Sequence, residues 1–289
     1  MKDQALWLYR QLTARSRTRL LETLREDGNI PIAILFYHRV SDVHPNEWTI
    51  STADFARHLD WLQENFEIVS LSRAQEMIRA PKNEKPVVAI TFDDGYSDNS
   101  TFAIPELARR GIPATYFVTT DFVRTGRPFP HDLRADVPLQ PNTFDELRQY
   151  LEMGIEIGAH TRNHADIGQC VNETELRDEI LGSIHDLQTW LHKPIDYFAF
   201  PFGLPHNITQ LAVDILHEAG VKGFCSAYGA WNWPGSPGFH LRRIHGDPGM
   251  ARLQNWLTYD ARKLADSQQL PFSEPNEKEL ELTTLLLDE

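Results

Sequence analysis

The chain has 289 residues, 41% of them apolar and 24% charged, a globular balance that excludes wholesale disorder. Its 28 Lys and Arg stand against 41 Asp and Glu, a net charge of −13, which argues against a nucleic-acid partner because phosphate binding needs a basic stripe. Two cysteines, Cys170 and Cys225, exclude a disulfide framework and read as buried thiols, and no apolar run approaches the ~20 residues of a transmembrane segment.

Residues 3–27 predict an amphipathic helix, with Leu6, Tyr9, Leu12, Leu20 and Leu24 at helical spacing and Asp27-Gly28-Asn29 as its stop. One reading packs this helix on the body of the protein; the other lays its basic face on anionic lipid as a peripheral membrane contact. The stretch lacks the continuous apolar core and small-residue cleavage site of a secretory signal, so the expectation is a cytoplasmic chain. From residue 31 onward, strands are predicted at 32–36, 67–70, 87–92, 114–118, 155–158, 197–200, 221–225 and 241–244. Helices are predicted between them at 52–65, 73–79, 103–110, 144–152, 173–191 and 208–219. Thr143 with Glu146, and Asn172 with Glu175, have the spacing of N-caps with a returning carboxylate, while Gly111, Gly154 and Gly220 sit where helices end. The alternation predicts a mostly parallel sheet, and eight strands favour closure into a barrel. Residues 121–142, with four prolines, read as one long loop, functional or mobile.

The polar residues directly after each strand carry the chemistry, because in a parallel α/β protein the C-terminal strand ends share one mouth. Tyr37-His38, Asp93-Asp94-Gly95, His160 with His164, and Pro201-Phe202-Gly203 all stand there. Adjacent buried carboxylates repel unless paired or bound to metal, so Asp93-Asp94 is either a helix-capping turn or a cation ligand beside a proton acceptor. His160 and His164, four apart, can chelate one ion, and with a carboxylate from another strand they leave open positions for water and substrate.

ITFDDGY, HTRNH and FAFPFG, in that order, resemble the motifs of the polysaccharide deacetylase (carbohydrate esterase type 4) family, over roughly residues 30–245. ILFYHRV at 34–40 resembles the opening of the subgroup that acts on poly-N-acetylglucosamine and other exopolysaccharides. The resemblance implies an α/β fold, a distorted (β/α) barrel of about seven to eight mainly parallel strands, in agreement with the strand count. It divides the chain into an N-terminal helix (1–29), a catalytic domain (30–265) and an acidic tail (266–289). It implies removal of N-acetyl groups from an N-acetylhexosamine glycan, with Asp94, His160 and His164 holding a divalent metal and Asp93 as base. Zinc is the implied ion, with cobalt, nickel and iron as alternatives. The oxyanion would rest on the metal and a backbone N–H such as that of Tyr96, and a histidine would protonate the leaving amine.

Two family features are missing or indistinct. Many members carry an Arg two residues before the Pro of the third motif, orienting the base; here that position is Ala199, and Arg242 or Arg243 is the expected substitute. His245 is the first assignment for the acid, His38 the second and His240 the third, each with a purely structural alternative. Tyr96, Trp231 and Trp233 are candidate sugar-stacking surfaces, with core packing or lid anchoring as the other reading. Pro201, Phe202 and Arg243 complete the candidate substrate contacts, and 129–132 reads as a groove wall or as loop variation. Three other functions compete: an amidohydrolase of small cyclic imides or ureides, an Fe(II) oxygenase built on the same ligand set, and a carbohydrate-binding pseudoenzyme supported only by the missing Arg.

Overall fold

The computed structural model describes residues 2–246, 249–264 and 272–274. The acidic tail therefore lies outside the described residues apart from 272–274. The first half of the chain runs α1 (Lys2–Glu26), β1 (Ile32–Tyr37), β2 (Arg39–Val40), β3 (Thr49–Ile50), α2 (Thr52–Asn65), β4 (Glu67–Val69), α3 (Leu71–Arg79), β5 (Val87–Phe92), α4 (Ala103–Arg110) and β6 (Thr115–Val118). Then come α5 (Thr120–Thr125), α6 (Pro130–Arg134), α7 (Phe144–Glu152), β7 (Glu156–Ala159), α8 (Glu173–Leu191), β8 (Tyr197–Ala199), α9 (Gln210–Glu218), β9 (Gly223–Gly229), β10 (Trp231–Asn232), β11 (His240–His245), α10 (Met250–Leu257) and α11 (Ala261–Leu264).

Seven parallel strands close in the order β1-β5-β6-β7-β8-β9-β11, with β11 returning to β1. The remaining predicted strand, β4, pairs with β5 outside this ring, and β10 lies antiparallel on β1. Every residue of β1 and β5 is buried, as strands sealed on both faces must be. Alternate residues serve different clusters. Ile32, Ile34, Val87, Ala89, Cys225 and Leu241 pack with Leu71, Ala74 and Ile78 of α3. Ala33, Leu35, Val88 and Ile90 belong to the larger core shared with the other helices. The helix α3 closes the end where strands begin: its Gln75 accepts from the hydroxyl of Tyr197, the first residue of β8, at 2.9 Å. The opposite mouth stays open.

The helix α1 packs on the C-terminal helices. Buried Arg17 pairs with Asp260 at 2.7 Å and donates to Asn255 and Thr258, and Tyr9 also donates to Asp260. One of its arginines is thus spent inside the protein rather than on a surface. No described helix is long and apolar enough to cross a membrane. The predicted long loop 121–142 instead contains α5 and α6. Its prolines misled because Pro130 occupies the first position of α6, where a fixed φ and a missing N–H cost nothing. Thr143 and Glu146 form a complete capping box, whereas Glu175 accepts from Val171 and leaves Asn172 to cap α8 alone. Both cysteines are free; Cys225 is buried and Cys170 only half-buried.

Candidate active site

Asp93 and Asp94 leave β5, His160 leaves β7, His38 leaves β1 and His245 ends β11, so all five side chains converge on the open mouth. They line one cavity of about 610 Å³, within the range of small-molecule sites.

Asp94 and His160, joined by His164 from the loop after β7, surround a single point. Asp94 Oδ1 lies 3.1 Å from His164 Nε2 and 3.4 Å from His160 Nε2, yet accepts no hydrogen bond among the described residues although it is buried. One ligand atom from each of the three lies within 4.8 Å of the others. The Nδ1 of His160 sits 2.7 Å from the Ala199 carbonyl, which fixes the proton there and leaves Nε2 with a free lone pair. An orphaned carboxylate oxygen facing two imidazole nitrogens is the donor set of a metal site, and these three residues fit a divalent cation. Burial pushes the Asp94 carboxyl up, but His164 and His160 more than reverse this and hold it well below the usual range.

Asp93 is held differently. Arg243, fully buried on β11, donates Nη1 to Oδ1 at 2.7 Å and Nη2 to Oδ2 at 2.8 Å, a two-pronged charge-assisted pair. The guanidinium is steadied by the Ser226 carbonyl and Thr91 Oγ1, and lies over the Phe36 ring. Burial pushes Asp93 up; the Arg243 charge overrides it and leaves the carboxyl below its ordinary value. Arg243 is thus the guanidinium expected in place of the residue missing at position 199. It is not a substrate contact, because it does not reach the cavity. Its presence answers the one argument for a pseudoenzyme, and the parallel barrel is unlike the all-β scaffolds on which Fe(II) oxygenase sites of this ligand set usually sit.

The HTRNH loop is pinned from α8. Buried Glu179 accepts from the N–H groups of Arg162 and Asn163 at 3.0 and 2.9 Å and from the Asn163 side chain at 2.8 Å. Asp186 grips the Arg162 guanidinium with both oxygens at 2.9 Å. A Cβ at Gly182, in the middle of α8, would stand 2.5 Å from that guanidinium, which explains a glycine at a position where helix propensity opposes it. Four non-glycine residues around the mouth, Asp94, Thr161, His164 and Phe202, have positive φ, the kind of local strain that functional sites hold. Neither the α8 carboxylates nor this strain has a motif by which the sequence could have disclosed it.

Other predictions need correction. Tyr96 is no stacking surface: it is buried, and its hydroxyl meets His131 Nε2 at 2.8 Å and donates to Asp132 at 3.0 Å. Trp231 pairs with β1, stacks on Tyr259 and, like Trp233, borders a separate cavity, so neither indole can touch a sugar at Asp93. Pro201 is buried and off the cavity wall, while Phe202 is 57% exposed and lines it. His240 is buried against Phe224 with Nε2 on Ser226, away from the mouth. His38 and His245 both line the cavity, their rings 5.7 Å apart. The wall the sequence missed is Trp48, 45% exposed and 4.9 Å from the His38 ring, held by a loop that buried Arg39 gathers through Asp98 and the carbonyls of Val43 and His44. Phe129, Pro130 and His131 also line the cavity, so 129–131 forms part of the groove wall and Asp132 does not.

A sequence-family model described as polysaccharide deacetylase matches residues 80–224. The Bacillus subtilis protein YxkH, whose name places it among polysaccharide deacetylases, is 25% identical over 227 residues, 76% of this chain and 73% of that one. The peptidoglycan-N-acetylglucosamine deacetylase of Bacillus cereus is 27% identical over 183 residues, 63% of this chain and 70% of that one. Among solved structures, IcaB from Ammonifex degensii superposes with a TM-score of 0.67 at 22% identity, covering 79% of this chain and 97% of its own. The Streptococcus pyogenes deacetylase PplD gives 0.66 at 21%, covering 78% and 98%. At such identities these two likenesses are of fold alone.

Proposed function

The chain belongs to the polysaccharide deacetylase family, and from that premise we propose that it hydrolyses the N-acetyl group of an N-acetylhexosamine residue within a glycan of the poly-N-acetylglucosamine kind. One observation carries the reading: an orphaned Asp94 oxygen between two imidazoles, beside a second buried carboxylate kept ionised, both opening on one cavity. Zinc is the ion we assign to Asp94, His160 and His164, since two imidazoles and a carboxylate with open positions are a recurrent catalytic zinc set; cobalt, nickel or iron suit the same donors. Such an ion supplies Lewis acidity, polarising the acetyl carbonyl and acidifying an attacking water.

The chain's own groups then move the protons. Asp93, charged and oriented by Arg243, accepts a proton from water as its oxygen bonds to the acetyl carbon. The C–N bond breaks as the nitrogen gains a proton, leaving acetate and a free amine. We assign that delivery to His38. Its ring lines the cavity and is among the charges felt by both Asp93 and Asp94. Burial pulls His38 down to about 4, against the two carboxylates, so the ring rests neutral at pH 7 and receives during turnover the proton it passes on. Asn99, wholly buried, donates to the His38 carbonyl at 2.8 Å and fixes that strand end.

Acetate release from N-acetylglucosamine oligomers, measured alongside metal content, tests the function. Release with a near-stoichiometric divalent ion is expected, and turnover of cyclic imides in its place would reject it. For the acid, His38→Ala should lower kcat by about a hundredfold to a thousandfold and His245→Ala by less than about tenfold. The reverse ranking would return the role to His245.

A further inference from the structure

The cavity wall includes three side chains of fixed charge: Asp93, Asp94 and Arg134. Asp93 is neutralised by Arg243 and Asp94 faces the two imidazoles. Arg134 is exposed and has no hydrogen bond or ion pair among the described residues. Its neighbours contrast with it, since Arg124 and Arg127 both pair with Asp121. The scaffold under Arg134 is firm. Buried Phe129, just before α6, stacks on Phe122 at 4.2 Å and on His131 at 5.4 Å. His131 and Arg134 are three residues apart on α6, which puts both on one helix face, and both line the cavity.

We propose that Arg134 recognises an oxyanion, a carboxylate or phosphate ester, on the sugar next to the one being deacetylated. The proposal rests on the deacetylase reading for its glycan and adds the charge class of that glycan. A guanidinium presents a planar fork that matches both groups in two-pronged fashion. In a protein of net charge −13 an acidic glycan is repelled in general, so an uncompensated cation at the mouth is the feature that admits one. The alternative, a cation placed at the last turn of α6 for the helix dipole alone, predicts indifference to substrate charge.

Calorimetric titration of the full chain with N-acetylglucosamine oligosaccharides of one length, neutral, uronate-bearing or phosphate-bearing, separates these. An acidic ligand should bind about tenfold tighter than the neutral one at low salt, and the ratio should fall towards one in Arg134→Gln and at high ionic strength. Arg134→Lys, which keeps the charge without the fork, should hold an intermediate ratio. Which acidic arm shows the gain identifies the oxyanion. Equal affinities in the wild type, or a preference that survives in Arg134→Gln, would overturn the proposal. Preferential binding without acetate release would sink the deacetylase reading while leaving Arg134 as the oxyanion contact of a bound glycan.

Discussion

His160→Ala or His164→Ala is expected to strip the bound ion and lower acetate release by about a thousandfold or more. The size follows from what the ion contributes: several kcal/mol of charge stabilisation and a water acidified by many pH units, at about 1.4 kcal/mol per tenfold in rate. His160 should be the more sensitive of the two. Its Nδ1 is locked on the Ala199 carbonyl, so its Nε2 is already aimed, whereas His164 sits on a loop whose shape depends on α8. Glu179→Ala, touching no ligand directly, should still weaken metal affinity about tenfold to a hundredfold, because it frees the N–H groups that set the loop. Elemental analysis of each purified variant checks the series, together with the rise in Tm on adding metal, which a protein that binds only when folded must show. Unchanged metal content in both histidine variants would reject the ligand set.

The cluster of Asp94, His160 and His164 was legible in the sequence, and the burial of the predicted stacking rings was not, for one physical reason. Asp94 and His160 stand just past apolar runs, with His164 four residues on, and strand ends of a parallel barrel meet whatever lies between them, so local pattern suffices to place them. An aromatic ring is placed by what covers it. Trp231-Asn232-Trp233-Pro234-Gly235 has the local signature of an open loop, but Trp231 pairs with Ala33 of β1, and a pairing partner 198 positions away leaves no trace in the neighbouring residues. Trp48 lies in an equally polar stretch and does reach the cavity, because Arg39 draws that loop inward through Asp98. Arg243 fell between these cases. Chain order offered it or Arg242 as a substitute for the guanidinium absent at position 199, and the alternation of β11 decides that Arg243 points into the barrel towards Asp93 while Arg242 lies at the second cavity.

Severing the Asp93–Arg243 pair should have effects of opposite kind on its two sides. Asp93→Asn removes the proton acceptor and should lower kcat by about a thousandfold or more while the metal stays bound, since Asp93 is not among the three ligands. Survival of turnover in this variant would mean that another group is the base. Arg243→Met instead leaves a buried carboxylate without its counter-charge, which costs about 3–5 kcal/mol of stability when one partner of such a pair is removed. In the wild type the folded-state pKa of Asp93 lies below the unfolded value of about 3.9, so the ionised group adds stability at neutral pH that is lost as pH falls through the depressed value. Without Arg243 only His160 and His38 oppose burial, so the pKa is expected to rise above the unfolded value and acidification to relieve the variant. The stability gap between the two proteins should therefore narrow as pH falls towards 4, and the acid limb of the kcat profile should move to higher pH in Arg243→Met. Arg243→Lys keeps a charge but not the fork and should show both effects in smaller measure. A stability gap of constant size across pH, with an unmoved acid limb, would mean that Arg243 merely fills the barrel and that some other group keeps Asp93 charged.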